Sequence, residues 1–276
     1  MPIIQRYMPG EIALKVLNDN GLYFRRLDSL SADPTEGDRK IYGSIEKKIC
    51  DVLHFNKDIA AQEITEDDVA EASLQLMEYE KKNKFIQCWH SSNKTSPLMW
   101  HNFTSGNQDC AVFIANRFHL ASYLSSTIPI GFDFRKIKYV EDKYKETNTD
   151  FIKHVSFKHE KEIRILINLR MLTLYNGNIL KNTYNGTQYS GPINIGENLT
   201  NNGISDENLF IDVDDKGFIM KAPLNKIITN ILIPNTASVH FEKRINSHLS
   251  SNGYSFMSKR VNTELELEPI PKGIVR

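Results

Sequence analysis

Phe157-Lys158-His159-Glu160-Lys161-Glu162-Ile163-Arg164-Ile165-Leu166-Ile167 alternates charged and apolar residues with period two. On a β-strand successive side chains point to opposite faces, so Glu160, Glu162 and Arg164 share one face while Ile163, Ile165 and Ile167 share the other. The apolar face belongs to a core. The polar face gathers two carboxylates and a guanidinium at two-residue steps of about 7 Å, a set suited to acid/base chemistry or to clamping a ligand. A solvated strand face carrying a surface ion pair would have the same pattern.

Around this strand the chain has an ordinary globular composition. Its 276 residues are 40% hydrophobic and 25% charged, which reads as one domain. A net charge of zero removes any overall basic footprint for nucleic acid and leaves only local patches. Cys50, Cys88 and Cys110 lie far apart without CxxC spacing, against a disulfide framework or a structural zinc site and in keeping with a reducing cytoplasm. The start, Met1-Pro2-Ile3-Ile4-Gln5-Arg6, lacks the basic and apolar regions of a signal peptide. No stretch approaches the roughly 20 apolar residues of a membrane span. The expectation is a cytoplasmic protein without a membrane partner.

Ile12, Val16 and Leu17 at helical spacing predict a helix from about Gly10 to Asn20, stopped at Asn20-Gly21. Leu22 to Arg26 reads as a strand, and Asp28 to Gly37 as a loop whose Pro34 and Gly37 make it a rigid wall. From Asp58 to Glu80 there are eight acids and no Lys or Arg, with Thr65 as N-cap and Val69, Ala72 and Leu76 on one face. This is an amphipathic surface helix around 58–83, its acids solvated or offered to a partner. Lys84 to His90 reads as a strand, Ser96-Pro97 as a helix start, Asp109 to Ile114 as a buried strand, and Asn116 as the cap of a helix through Leu120 and Leu124.

Asn-Gly pairs at 176, 185 and 202 mark an Asn/Gly-rich insertion around 174–208. Leu209 to Val213 and Phe218 to Ala222 read as a hairpin, and Ile227 to Ile233 as a strand. Ser238 starts a helix with Phe241, Ile245 and Leu249 on one face and Gly253 beyond its end. The alternating Glu264 to Glu268 reads as an edge strand. Helices do not alternate regularly with strands, so the predicted fold class is α+β, a single domain with a mixed or mainly antiparallel sheet flanked by helices.

Three segments together resemble a bacterial family. The Tyr23-Phe24-Arg25 strand leading to Asp33-Pro34-x-Glu36 is the first. The Cys88-to-Trp100 block with Leu98-Met99-Trp100 and Phe103 is the second, and the Lys153-to-Arg164 block with Glu160-x-Glu162-x-Arg164 the third. They are similar to the domain-of-unknown-function family numbered twenty-nine seventy-one, whose usual ending the Ile-rich strand before Pro234 and the last helix also match. The chain departs from it at Ala32, where the family more often has Asn, at Phe157 for Trp, and at Phe103 for Tyr. The resemblance implies a bacterial accessory or defence role, with toxin-like activity among the options, and carries no assigned reaction.

The order of Arg25, then Ser91, Ser92 or Ser96, then Glu160-x-Glu162 is also similar to the Arg, Ser, Glu-x-Glu order of ADP-ribosyltransferases. That resemblance implies NAD as substrate, with Arg25 or Arg26 on the pyrophosphate, Glu162 catalytic and Glu160 toward the acceptor, a protein or a nucleic acid. A guanidinium fork matches phosphate oxygens, and a carboxylate near the anomeric carbon stabilises developing positive charge. The cleft would be walled by Asp33, Glu36, Ser91, Ser96, Trp100 and Arg164, with no metal.

Two other classes stay open. Phe134 to Arg164 carries nine Lys or Arg against six Asp or Glu with interleaved aromatics, which could suit a nucleic-acid-directed enzyme using Asp33, Glu36, Glu160 and Glu162 around a divalent ion. His154, His159 and Glu160 form a weaker metal set, since neighbouring strand residues point apart. Alternatively the domain is a non-catalytic sensor or partner module, and the polar strand face is an ion-pair network.

Overall fold

The computed structural model describes residues 3–30, 71, 74, 77, 78, 80–104, 108–127, 132–142, 149–168, 210–214 and 216–263. Asp33, Glu36, the insertion at 174–208, the 264–268 strand and most of the acidic helix lie outside these residues; that helix's end, 80–82, is helical.

The strands are β1 (Ile3–Pro9), β2 (Gly21–Arg26), β3 (Lys84–His90), β4 (Cys110–Asn116), β5 (Phe132–Lys136) and β6 (Lys138–Val140). They continue with β7 (Ile152–His154), β8 (Glu162–Asn168), β9 (Phe210–Asp214), β10 (Gly217–Lys221), β11 (Ile228–Pro234) and β12 (Lys259–Val261). The helices are α1 (Gly10–Asn18), α2 (Pro97–Phe103), α3 (Arg117–Thr127), α4 (Leu224–Ile227) and α5 (Val239–Ser251). This is the expected α+β class with a mixed, mostly antiparallel sheet. β1 was not foreseen, and neither were the short strands β5 to β7, because three to five residues are too few to register a period.

Ten strands form one sheet that branches at β3. One edge of β3 is taken along its whole length by β8, which also pairs with β5. The opposite edge is shared between two partners. β2 takes its beginning, with Arg25 opposite Ile86 and Arg26 opposite Phe85, and β1 takes only its end, with Gln5 opposite His90. Beyond β1 the order runs β4, β11, β12; beyond β2 it runs β10, β9. Between the two arms, Gln87, Cys88 and Trp89 have no strand on that edge among the described residues, so the sheet opens into a fork. β2 can lie close on β10 because Gly217 has no side chain: a Cβ there would stand 2.3 Å from the Phe24 carbonyl oxygen and 2.8 Å from the Tyr23 hydroxyl.

Alternation along the strands sorts the two faces. Phe24, Phe85, Trp89, Ile163, Ile165, Ile167 and Phe218 join α1, α3, α4 and α5 in one core, to which Leu17, Leu120, Leu124, Leu224 and Ile245 are completely buried contributors. Each such side chain stabilises the fold by about 1.5–3 kcal/mol through burial. The caps follow the sequence reading: Ser96 Oγ accepts from Met99 N, Asn116 Oδ1 from Phe118 N and Ser238 Oγ from Phe241 N. The opposite sheet face carries two smaller clusters. α2 covers Tyr7, Cys110 and Val112 with Met99 and Trp100. Residues 137–142 and 149–160, including the parallel pair β6–β7, cover Leu27, Ile86 and Leu166 with Ile137 and Phe151. His90 and Glu162, opposite each other in register, lie on this second face where β3 ends and β8 begins.

Candidate functional site

β8 begins at Glu162, not at Glu160 as the alternation predicts. Val155–Glu160 is a 3-10 helix, and Lys161 at φ 42° turns the chain through the left-handed region before the strand starts. The reading of a solvated strand face is corrected as well: Glu160, Glu162 and Arg164 are buried, Arg164 completely. Lys153 on β7 reaches both carboxylates, its Nζ 2.8 Å from Glu160 Oε2 and 2.8 Å from Glu162 Oε2. Arg164 donates Nε to Glu162 Oε1 at 2.7 Å and Nη1 to the Asp150 carbonyl at 2.7 Å. Lys84 Nζ donates to Asp150 Oδ1 at 2.8 Å. Beside Lys153, Tyr139 on β6 accepts from Glu162 N at 2.7 Å. The small parallel sheet therefore lays a cation and a phenol onto the polar face of β8.

Burial pushes the Glu162 carboxyl up, but the charges of Arg164 and Lys153, with hydrogen bonds from Arg164 and Cys88, hold it far below the usual carboxylate range. It is ionised at every physiological pH. Burial and the neighbouring Glu162 and Glu160 charges raise Tyr139 to about 12, against the hydrogen bond with the Glu162 amide. Tyr139 stays a neutral phenol.

The fork holds a different kind of charge. Arg6 on β1 reaches across it and donates Nη2 to the Tyr23 carbonyl on β2 at 2.7 Å, the same oxygen to which Gln87 Nε2 donates at 3.3 Å. Gln87 Oε1 in turn accepts from Trp89 Nε1 at 3.0 Å. Among the described residues Arg6 has no carboxylate partner. Burial lowers it to about 10, opposed by Cys88 and Tyr23, and it remains a cation. Cys88 thus interacts with both Arg6 and Glu162 and links the fork to the charge network.

Glu162 and Arg164 share the face of β8, Glu160 reaches them from the 3-10 helix through Lys153 and not from the strand, and Ser91 joins them through its backbone, donating N to the Lys161 carbonyl at 3.0 Å. Ser96 and Trp100 belong to the neighbouring α2 cluster. Ser96 caps the helix and donates its amide to Tyr7 Oη at 2.9 Å, and Trp100 packs edge-on against Tyr7 at 5.3 Å. Tyr7 also meets the His90 ring at 6.1 Å, so it stands between that cluster and the start of β8. Arg25 is elsewhere. It is level with Ile86 and Leu166, four residues along β8 from Glu162 or about 13 Å, and donates to Ser29 Oγ at 3.2 Å and the Ser29 carbonyl at 2.7 Å. Arg26 pairs with Asp28 at 2.5 Å.

Arg6, Cys88, His90, Tyr139 and Lys153 are the residues sequence reasoning missed. Part of the signal was present: Lys84, Cys88 and His90 repeat at even steps on β3, as Glu162 and Arg164 do on β8, and Arg6 is a lone cation in Ile3-Ile4-Gln5-Arg6-Tyr7-Met8. Among the described residues no group of three or more His, Cys, Asp and Glu side chains is placed to hold a metal ion, and no helix is long and apolar enough to cross a membrane.

No protein-family model, curated protein or solved structure matches this chain, so the family resemblance rests on its three motifs alone.

Proposed function

We propose that this protein consumes NAD, releasing nicotinamide and passing ADP-ribose to water or to an acceptor, at the fork where β1 leaves β3. The observation that carries the reading is a split charge at Cys88: Glu162 is held ionised on one sheet face, and Arg6, which leaves β1 on the Ile4 and Met8 face and has no carboxylate among the described residues, enters the fork from the other. Cleavage of a glycosidic bond to nicotinamide builds positive charge at the anomeric carbon, which a fixed carboxylate stabilises without reorganising. A guanidinium with donors to spare suits the pyrophosphate. In this reading Arg6 takes the role the residue order assigned to Arg25, whose donors go to Ser29.

A second reading, a non-catalytic binding module, draws on a specific observation: Glu162 is 4% exposed and both its oxygens are engaged. The nucleic-acid reading is weakened because Lys153 and Arg164, part of its basic excess, are buried in ion pairs.

The test is nicotinamide release from NAD by the purified chain, alone and with cell extract, alongside Glu162→Gln and Arg6→Gln, with folding checked by circular dichroism. Release by the wild type that falls at least about 100-fold in folded Glu162→Gln supports the enzyme, that being the scale for one electrostatic catalytic group. No release under either condition leaves the binding module.

A further inference from the structure

We infer that His90 is the general base of this site, a role that rests on the NAD-consuming reading and extends it to a residue outside both resemblances. The ring is held in one orientation and one tautomer. Its Nδ1 lies 2.6 Å from the Glu160 carbonyl oxygen, which can only accept, so Nδ1 carries the proton and Nε2 presents a lone pair. That carbonyl is aimed by a local device. Lys161 adopts φ 42°, uncommon for a residue with a side chain, and its own carbonyl is fixed by Ser91 N, the residue after His90. The two ends of β3 and β8 are thereby clasped around the imidazole.

Nε2 is not used by the fold: His90 is 3% exposed, and among the described residues Nε2 makes no hydrogen bond. Tyr7 flanks the ring from β1, and Glu162 stands directly across from it on β8, with Cys88 two residues back on β3. Lys153 reaches this end of β8 from β7 and occupies the carboxylates of Glu160 and Glu162. Burial lowers the imidazole pKa below 6.5, the Glu160 hydrogen bond opposes this, and the charges of Lys161 and His159 add to the lowering. The ring is neutral at pH 7 and able to accept.

The step balances with residues and reactants already named. A water or acceptor O–H loses its proton to His90 Nε2 as its oxygen bonds to the anomeric carbon. The bond from that carbon to nicotinamide breaks, and its electron pair returns to the pyridinium, which leaves neutral. Glu162 faces the positive charge in between and keeps its own ionisation.

Three readouts on the full chain test this. Nitrogen NMR of histidine-labelled protein, assigned with His90→Gln, should find Nε2 unprotonated at pH 7 and a protonation midpoint below 6.5. The wild-type kcat/KM for nicotinamide release should fall on the acid side with that same midpoint. Folded His90→Gln should lose about 100-fold in kcat together with that acid limb, whereas the exposed His154→Gln should keep both. A protonated Nε2 at pH 7, a wild-type profile without that limb, or His90→Gln within about twofold of wild type each overturns the inference while leaving NAD consumption standing. A wild type that releases no nicotinamide overturns both together.

Discussion

The polar face of β8 buries its positive charge and the fork beside β3 holds Arg6 half-buried, and the two keep their cations on opposite terms. On β8 every cation has a carboxylate: Lys153 holds Glu160 and Glu162, Arg164 holds Glu162, and Lys84 holds Asp150. In the fork, Arg6 has a shared backbone carbonyl and the nearby Cys88 and Tyr23. A buried charge that is matched within the fold costs little to keep but much to half-remove, and one that is not matched is kept at a standing cost in stability. The first arrangement ties the segment 149–160 to the sheet. The second fits a ligand's negative charge.

The comparison can be broken most sharply at Lys153. Lys153→Met leaves Glu160 and Glu162 facing each other without their shared cation, and about 3–5 kcal/mol of stability should be lost in denaturant titration. A loss below about 1 kcal/mol, the scale of an exposed pair, would mean that the network is not what holds the segment.

Acid probes the same charges without a substitution. The folded pKa of Glu162 is depressed, so its contribution is present above its ordinary value of 4.5 and is lost as pH falls toward the folded value. His90, also lowered, adds an earlier loss that begins as pH drops through 6.5, where the unfolded chain gains a proton that the folded ring resists. Melting temperature against pH should fall in two stages, each group contributing at most about 1.4 kcal/mol per pH unit. His90→Gln should remove the upper stage attributable to this ring. A wild-type curve flat from about pH 6.5 to 5 would contradict the His90 assignment, and one flat from about pH 4.5 to 3 that of Glu162.

The smallest effect on stability is expected in the fork. Arg6→Met gives up one hydrogen bond but also the unmatched charge, so stability should change by less than about 1 kcal/mol, while binding of ADP-ribose measured by calorimetry weakens about tenfold, roughly 1.4 kcal/mol. If stability falls as far as in Lys153→Met, Arg6 is part of the fold's own charge balance and the contrast between the two regions disappears.

Legibility in the sequence followed period and local chemistry. Ile163, Ile165 and Ile167 entered the core as their alternation required, and Ser96, Asn116 and Ser238 cap the helices they announced. Arg25 was the natural candidate for an anion because it sits in an early strand, but Ser29 four residues on captures its donors, a short-range competition that strand alternation does not register. Arg6 carries no such short-range signal of its partner, because the carbonyl it reaches belongs to Tyr23 on a strand that meets β1 only across the fork.

By itself the sequence determined the α+β class, which residues of β8 share a face, and where the main helices begin, since these depend on neighbours a few positions away. Only the tertiary structure decided that the charged face of β8 is covered rather than solvated, that Glu160 leaves the strand, and that β1 and β2 divide one edge of β3. Alternation says which side chains point together but not what lies over them. That depends on pairing between residues as distant as Gln5, His90 and Glu162, which no local pattern encodes.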